Sequence, residues 1–172
     1  MSRFRVLCGA LLALAAFLIA VPRAEPQTKA PARPAAPRLE AVAETRLLME
    51  GLNQANFRGL ERLLKQKPAD VEAWTFARGQ ALLIAETGNL LMLRPPKNKG
   101  QDAWMDRAAD MRARATALAR AAGNQDYPRT RAALADLANS CNRCHQTFRV
   151  PVKITPFAEG ADRTGLPERN LF

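Results

Sequence analysis

Histidine is almost absent from this sequence of 172 residues, which has only one, His145. Cysteine is nearly as scarce, with three residues, of which Cys141 and Cys144 stand within four positions of the histidine. A structural zinc site needs a full set of cysteine and histidine ligands, and this chain has nothing suitable to complete one. Acid–base catalysis that needs a second histidine is excluded for the same reason. The histidine and two of the three cysteines thus fall in one short stretch, residues 140–148.

Strand-like alternation of apolar and polar residues is also lacking, and aromatic residues make up only 6% of the chain. The dominant residues are alanine, leucine and arginine, which lose little side-chain freedom in a helix. Apolar residues recur at steps of three and four in four segments. These are residues 39–66, residues 69–93, a third segment between the break at 94–100 and Gly123, and residues 128–150. Similar lengths and short connections predict an all-α, antiparallel four-helix bundle.

Each predicted helix has one apolar face. The four faces are, in chain order, Leu48, Met49, Leu52, Asn56, Leu60 and Leu63; Trp74, Ala77, Ala81, Ile84, Gly88 and Leu91; Trp104, Ala108, Met111, Ala115, Leu118 and Ala122; and Leu134, Leu137, Cys141, Cys144 and Phe148. We expect Trp74 and Trp104 to be core residues rather than redox relays. Pro68 is expected in the first turn of the second helix.

No acidic residue precedes Glu25, whereas Arg3 and Arg5 stand before an apolar run at residues 6–21. This layout is typical of an export signal, so residues 1–24 are predicted to be a signal or, if cleavage fails, an N-terminal membrane anchor. Cys8 is then an apolar residue of that signal. The rest of the chain is predicted to be periplasmic, either soluble or tethered to the inner membrane.

The remaining chain divides by composition into three parts. Residues 25–38 contain four prolines and too little apolar surface to fold alone, which predicts a semi-rigid linker. Residues 39–150 form the predicted helical domain, and residues 151–172 an irregular tail rich in proline and glycine.

The stretch Cys141-Asn142-Arg143-Cys144-His145 matches the CxxCH pattern of covalent c-type haem attachment. On a helix, the two thiols can each reach one vinyl group of a porphyrin, and a histidine four residues after Cys141 lies on the same side. Half a zinc site, a structural disulfide and coincidence are the alternatives. A thioredoxin-like redox pair would belong at the start of a helix after a strand, whereas this motif is late in a helix. The sole histidine directly after CxxC in an exported chain favours haem.

The position of this motif near the C-terminus of a four-helix chain resembles the cytochrome c′ family, in particular its low-spin cytochrome c-556 branch. The resemblance covers about residues 39–150. It is carried by SCNRCHQTFR at 140–149, by Trp104, and by AETRLLMEGLNQANFRGLERLLKQKP at 43–68. It implies one covalent haem c attached through Cys141 and Cys144, with His145 as the proximal iron ligand.

The resemblance also implies that the first helix crosses the opposite face of the haem. In the c-556 branch a methionine early in that helix is the second axial ligand, and Met49 matches its position. On position alone, a methionine on the buried face of a helix, such as Met49, is more often a flexible core residue than a ligand. Met111 is the next candidate, although its heptad spacing from Trp104 favours core packing.

Two further residues follow the motif. Arg149 matches the family's arginine after the haem motif and could pair with a haem propionate, or it is a solvated arginine at the end of a helix. Phe148 is expected to form a packing wall beside the haem.

These observations predict an electron-transfer protein with a six-coordinate haem and no enzymatic activity. The alternative is a five-coordinate cytochrome c′ that binds nitric oxide or carbon monoxide, with Met49 only lining the pocket.

A formal charge of +10 falls to +7 without residues 1–24, which hold three arginines and no acid. No nucleic-acid-binding motif accompanies this charge. Arginines 129, 131, 143 and 149 are predicted on the haem-bearing helix, where several could surround the haem edge and attract an acidic redox partner. The charge could equally keep the protein soluble or attract it to anionic lipid. A homodimer is compatible with the resemblance, but no residue identifies its interface.

Overall fold

A computed structural model describes residues 38–157. Its elements are α1 (Thr45–Leu48), a π-helical segment (Met49–Gln54), α2 (Ala55–Leu63), α3 (Val71–Met92), α4 (Gln101–Gly123) and α5 (Tyr127–Thr147). The backbone stays helical through both junctions of the π segment, so α1, the π segment and α2 form one composite first helix. Residues 38–157 contain no strand, and the predicted all-α class with four helices is confirmed.

The starts of the later helices follow from their caps. The carboxylate of Asp70 accepts a hydrogen bond from the Ala73 amide at 2.7 Å, so α3 begins at Val71. Asp126 caps α5 in the same way, accepting from the Arg129 amide at 3.0 Å, with Pro128 in the first turn. The expected place of Pro68 in the first turn of the second helix is wrong, because Pro68 precedes the cap.

The end of the last helix also differs from its prediction. Helix α5 ends at Thr147 rather than at residue 150. The chain then turns at Arg149, whose φ is 57°, and the Val150 amide donates to the His145 carbonyl at 2.8 Å. Arg149 therefore lies beyond the helix that carries the motif, and its predicted place on that helix is wrong.

The predicted apolar faces form the core. Every member of the face of α3 is buried, and so is every member of the face of α4 except Trp104, which is partly buried. Leu60, Leu134 and Leu137 have no exposed surface. The composite first helix also buries Phe57 and Leu64, which the predicted face omitted.

Helices α3 and α4 run in opposite directions, as the contacts at their two ends show. At one end of the α3–α4 pair, the Trp104 indole donates to the Leu91 carbonyl at 2.7 Å. At the other end, a Cβ at Gly123 would lie 3.5 Å from the side chain of Arg78. The ring of Trp104 also meets that of Phe148 edge-on at 5.1 Å, joining the start of α4 to the residue after α5.

Within residues 38–157, no helix combines the length and apolarity needed to cross a bilayer. The predicted signal or anchor (residues 1–24), most of the linker (25–38) and residues 158–172 of the tail lie outside the described residues.

Candidate haem site

Helix α5 presents the motif near its C-terminal end. Cys141 faces the core with 9% of its surface exposed, and Cys144 and His145 are half-buried. Both cysteines are free thiols. Burial raises the pKa of Cys141 to about 12, with the nearby Cys144 adding to the shift. Burial also raises the pKa of Cys144, against the opposing charge of Arg107. Both sulfurs are thus protonated at neutral pH, and both lie on the inner side of the helix.

The ring of His145 is oriented by a backbone contact. Its Nδ1 lies 2.9 Å from the carbonyl oxygen of Val152, seven residues further along the chain. A carbonyl only accepts hydrogen bonds, so this contact requires the proton on Nδ1. The lone pair is then on Nε2, which is the form of imidazole that binds a metal ion.

Two methionine thioethers meet at one amide in the interior. The side-chain Nδ2 of Asn53 lies 3.3 Å from Met49 Sδ and 3.5 Å from Met111 Sδ. Met49 and Asn53 both belong to the π segment, a helix type that occurs frequently at functional sites. Met111 is buried with 5% of its surface exposed, whereas Met49 is half-buried. The predicted core role of Met111 is therefore confirmed, and Met49 is less completely packed.

An aromatic pair flanks the motif. Phe148 packs edge-on against Trp104, whose indole donates a hydrogen bond to the Leu91 carbonyl. The expected place of Phe148 beside the haem stays a prediction. Trp74 is buried with 3% of its surface exposed, so its predicted core role is confirmed.

Charged groups line the contact between α4 and α5. Arg143, inside the motif, pairs with Asp110 at 2.5 Å, and Arg114 pairs with the same carboxylate at 3.2 Å. Partial burial raises the pKa of Asp110, but hydrogen bonds from Arg143 and Arg114 outweigh it, and the pKa lies below its usual value. This carboxylate therefore stays ionised and ties the motif to α4.

Two of the four arginines predicted to surround the haem edge are engaged with other residues of the bundle, and two are exposed. Arg131 donates to the Leu64 carbonyl at 2.6 Å and lies over the ring of Phe157 at 3.8 Å. Arg143 is paired with Asp110. Arg129 and Arg149 are exposed. The role of Arg149 toward a propionate stays a prediction.

One surface groove among the described residues lies away from the motif. It measures about 730 Å³ and runs along α3 past Val71, Phe76 and Leu83. Its lining contains neither cysteine nor histidine, so the chemistry of the motif, rather than the size of the groove, locates the site.

Several residues at the site were not predicted from the sequence. Asn53 has no motif around it, and only its position four residues after Met49 could have drawn attention to it. Asn142 occupies a variable position of CxxCH, and the part played by Val152 is a backbone contact that no side-chain pattern signals.

The donor set suits a haem. It combines two free thiols, an imidazole whose Nε2 is available, and a thioether. Among residues 38–157, three buried polar atoms have no hydrogen-bond partner: Asn53 Oδ1, Arg107 Nε and, in the groove along α3, Gln80 Oε1. The first two belong to residues beside Met49 and Cys144, as expected of a site that a further group completes. The described residues contain no group of three or more histidine, cysteine or acidic side chains placed to hold a metal ion. The fold and the site together define an all-helical, haem-binding protein of the c type.

Comparison with known families agrees with this class. Residues 98–149 match the family model described as Cytochrome C′. The matched part contains α4, α5 and the whole CxxCH motif. Over these residues the predicted resemblance to the cytochrome c′ family is confirmed, and it implies a covalently bound haem c. No curated protein and no solved structure gave a significant match.

Proposed function

We propose that this chain is an exported c-type cytochrome of the low-spin branch that transfers single electrons. One haem would be attached through Cys141 and Cys144, and His145 and Met49 would bind its iron. The observation that carries the proposal is the placement of Met49. Its thioether is held by Asn53 within a π-helical segment and is only half-buried, whereas the neighbouring Met111 is packed as a core residue.

When bound, the haem supplies a one-electron iron couple. His145 contributes Nε2, with the ring orientation set by Val152. Met49 contributes a neutral thioether, which favours the reduced state and raises the reduction potential. Trp104 and Phe148 pack edge-on against each other beside the motif. Because these contacts join rigid helices, little rearrangement is expected between oxidation states.

A second function is supported by the family match itself. Residues 98–149 match the family described as Cytochrome C′. The resemblance to this family is also compatible with a five-coordinate iron that keeps an open position. In that case Met49 lines a distal pocket, and nitric oxide or carbon monoxide is the ligand. An enzymatic role is not proposed, since the chain has no second histidine to serve as an acid–base group.

The test is a matched pair of methionine variants of the haem-loaded protein. Met49→Ala removes the proposed ligand and should convert a low-spin ferric spectrum to high-spin. It should also lower the reduction potential and open the iron to carbon monoxide. Met111→Ala removes a buried side chain from the same cluster and should cost about 2–5 kcal/mol of stability while leaving the low-spin spectrum intact.

Charge-transfer absorption between methionine sulfur and ferric iron in the far red should be present in the parent and lost only in Met49→Ala. A parent protein that is high-spin and binds carbon monoxide without mutation would instead establish the gas-binding function. A low-spin spectrum that survives Met49→Ala would remove Met49 from the iron.

A further inference from the structure

The chain that follows α5 folds back along it. We call residues 150–157 the C-terminal strap. Helix α5 ends at Thr147, and after the turn at Arg149 the Val152 amide donates to the Val150 carbonyl at 2.8 Å. The strap therefore runs beside the residues of the motif rather than away from the bundle.

One side chain of the motif holds this strap through two hydrogen bonds. Asn142 Nδ2 donates to the Ile154 carbonyl at 2.7 Å, and the Ile154 amide donates to Asn142 Oδ1 at 2.7 Å. The two bonds use both ends of the side-chain amide and both polar groups of one strap residue. Such a pair defines the position and the orientation of the strap backbone at Ile154.

His145 lies three residues after Asn142 on α5, and Val152 lies two residues before Ile154 on the strap. Asn142 therefore meets Ile154, and His145, one helical turn further on, meets Val152. Because Asn142 fixes the strap at Ile154, the Val152 carbonyl is placed 2.9 Å from His145 Nδ1.

The far end of the strap is anchored separately. The Phe157 amide donates to Glu61 Oε1 at 3.0 Å, and the ring of Phe157 lies under the guanidinium of Arg131 at 3.8 Å. This end contacts α2 at Glu61 and the N-terminal part of α5 at Arg131, not the histidine. The strap therefore has two anchors, of which Asn142 is the one beside the ligand.

We propose that Asn142 is a positioning residue for His145. It acts through the strap, whose Val152 carbonyl accepts the Nδ1 proton, fixes the ring orientation and strengthens electron donation from Nε2. This inference rests on the proposed function, in which His145 binds the iron. Asn142 is one of the two residues that separate Cys141 from Cys144. The inference gives it a second role besides spacing the two thiols.

Resonance Raman spectroscopy of the ferrous, haem-loaded protein tests the proposal. The Met49→Ala background is used, because a five-coordinate iron shows its bond to histidine as a stretching band. Asn142→Ala should shift this band to lower frequency and raise the reduction potential, because an imidazole without its Nδ1 hydrogen bond is a weaker donor. Asn142→Asp, which keeps an acceptor for the Ile154 amide but loses the donor, should shift it in the same direction by less.

The matched control is Phe157→Ala, which loosens the far anchor and leaves the Asn142 contacts in place. It should lower stability with the band unshifted. An unshifted band in both Asn142 variants, with only stability reduced, would show that Asn142 merely fastens the strap and would overturn the inference. Absence of any iron–histidine band in the Met49→Ala parent would contradict the proposed function instead. If Asn142→Ala does not retain the fold, the position of the iron–histidine band in Asn142→Asp alone tests the inference.

Discussion

At Gly88, helices α3 and α4 come too close for a side chain. A Cβ atom at this position would lie 2.9 Å from the Cβ of Arg112 and 3.0 Å from the carbonyl oxygen of Ala108. The second neighbour is backbone and cannot rotate away. Gly88→Ala must therefore separate the two helices locally by several tenths of an ångström, at the level of the core that carries Met111.

The size of the effect follows from comparison with a second glycine of the same helix. Gly79 is exposed, and a Cβ atom added there would have nothing within 4 Å. Alanine is favoured over glycine by about 1 kcal/mol in a helix interior, at both sites alike. Only Gly88→Ala adds the cost of overpacking, about 1–3 kcal/mol. Gly88→Ala should thus be about 1–3 kcal/mol less stable than Gly79→Ala.

Urea denaturation of the haem-loaded variants, followed by far-ultraviolet circular dichroism, measures this difference. The slope of free energy against urea should be the same in both, because neither change alters the surface exposed on unfolding. A Gly88→Ala protein as stable as Gly79→Ala would refute the close approach of α3 and α4 described above.

Three further predictions concern attachment, acid stability and partners. Changing both Cys141 and Cys144 to alanine should yield protein that releases its haem into acidified acetone, whereas extraction of haem from the parent would contradict covalent attachment. Asp110 has a folded-state pKa below its usual 3.8, so its pairing stabilises the protein above that pH and less as pH falls through the folded pKa. The stability lost in Asp110→Asn should therefore shrink below about pH 3.8, and a loss that is independent of pH in urea titrations would contradict the pairing. Electron exchange should be faster with an acidic than with a basic redox protein and should slow as salt screens the attraction over about 8 Å. Stopped-flow rates that do not change with salt would remove this role of the charge.

Much of the helical framework could be predicted because periodicity reports which face is buried. The face of α3 was predicted without error, since each of its residues repeats at helical spacing and only one side meets the core. The helix ends were less accurate. Pro68 looked like a first-turn proline, but the Asp70 side chain caps the helix two residues later.

The thiols and the histidine of the site could be predicted because their spacing is itself the chemical requirement. The contacts around them could not. Asn53 meets Met111 across 58 positions of sequence, and Asn142 meets Ile154 through backbone groups that every residue possesses. The first contact depends on how the helices pack. The second depends on the turn of the chain at Arg149, and no local sequence pattern predicts that turn.

The burial of Cys141 has a consequence for the order in which the protein matures. With 9% of its surface exposed and a pKa of about 12, its sulfur is neither accessible nor ionised once α5 has joined the bundle. A thiol must meet its reaction partner to form a bond. We therefore expect covalent attachment at Cys141 to precede the docking of α5 against the core, and chain that folds first to attach its haem more slowly.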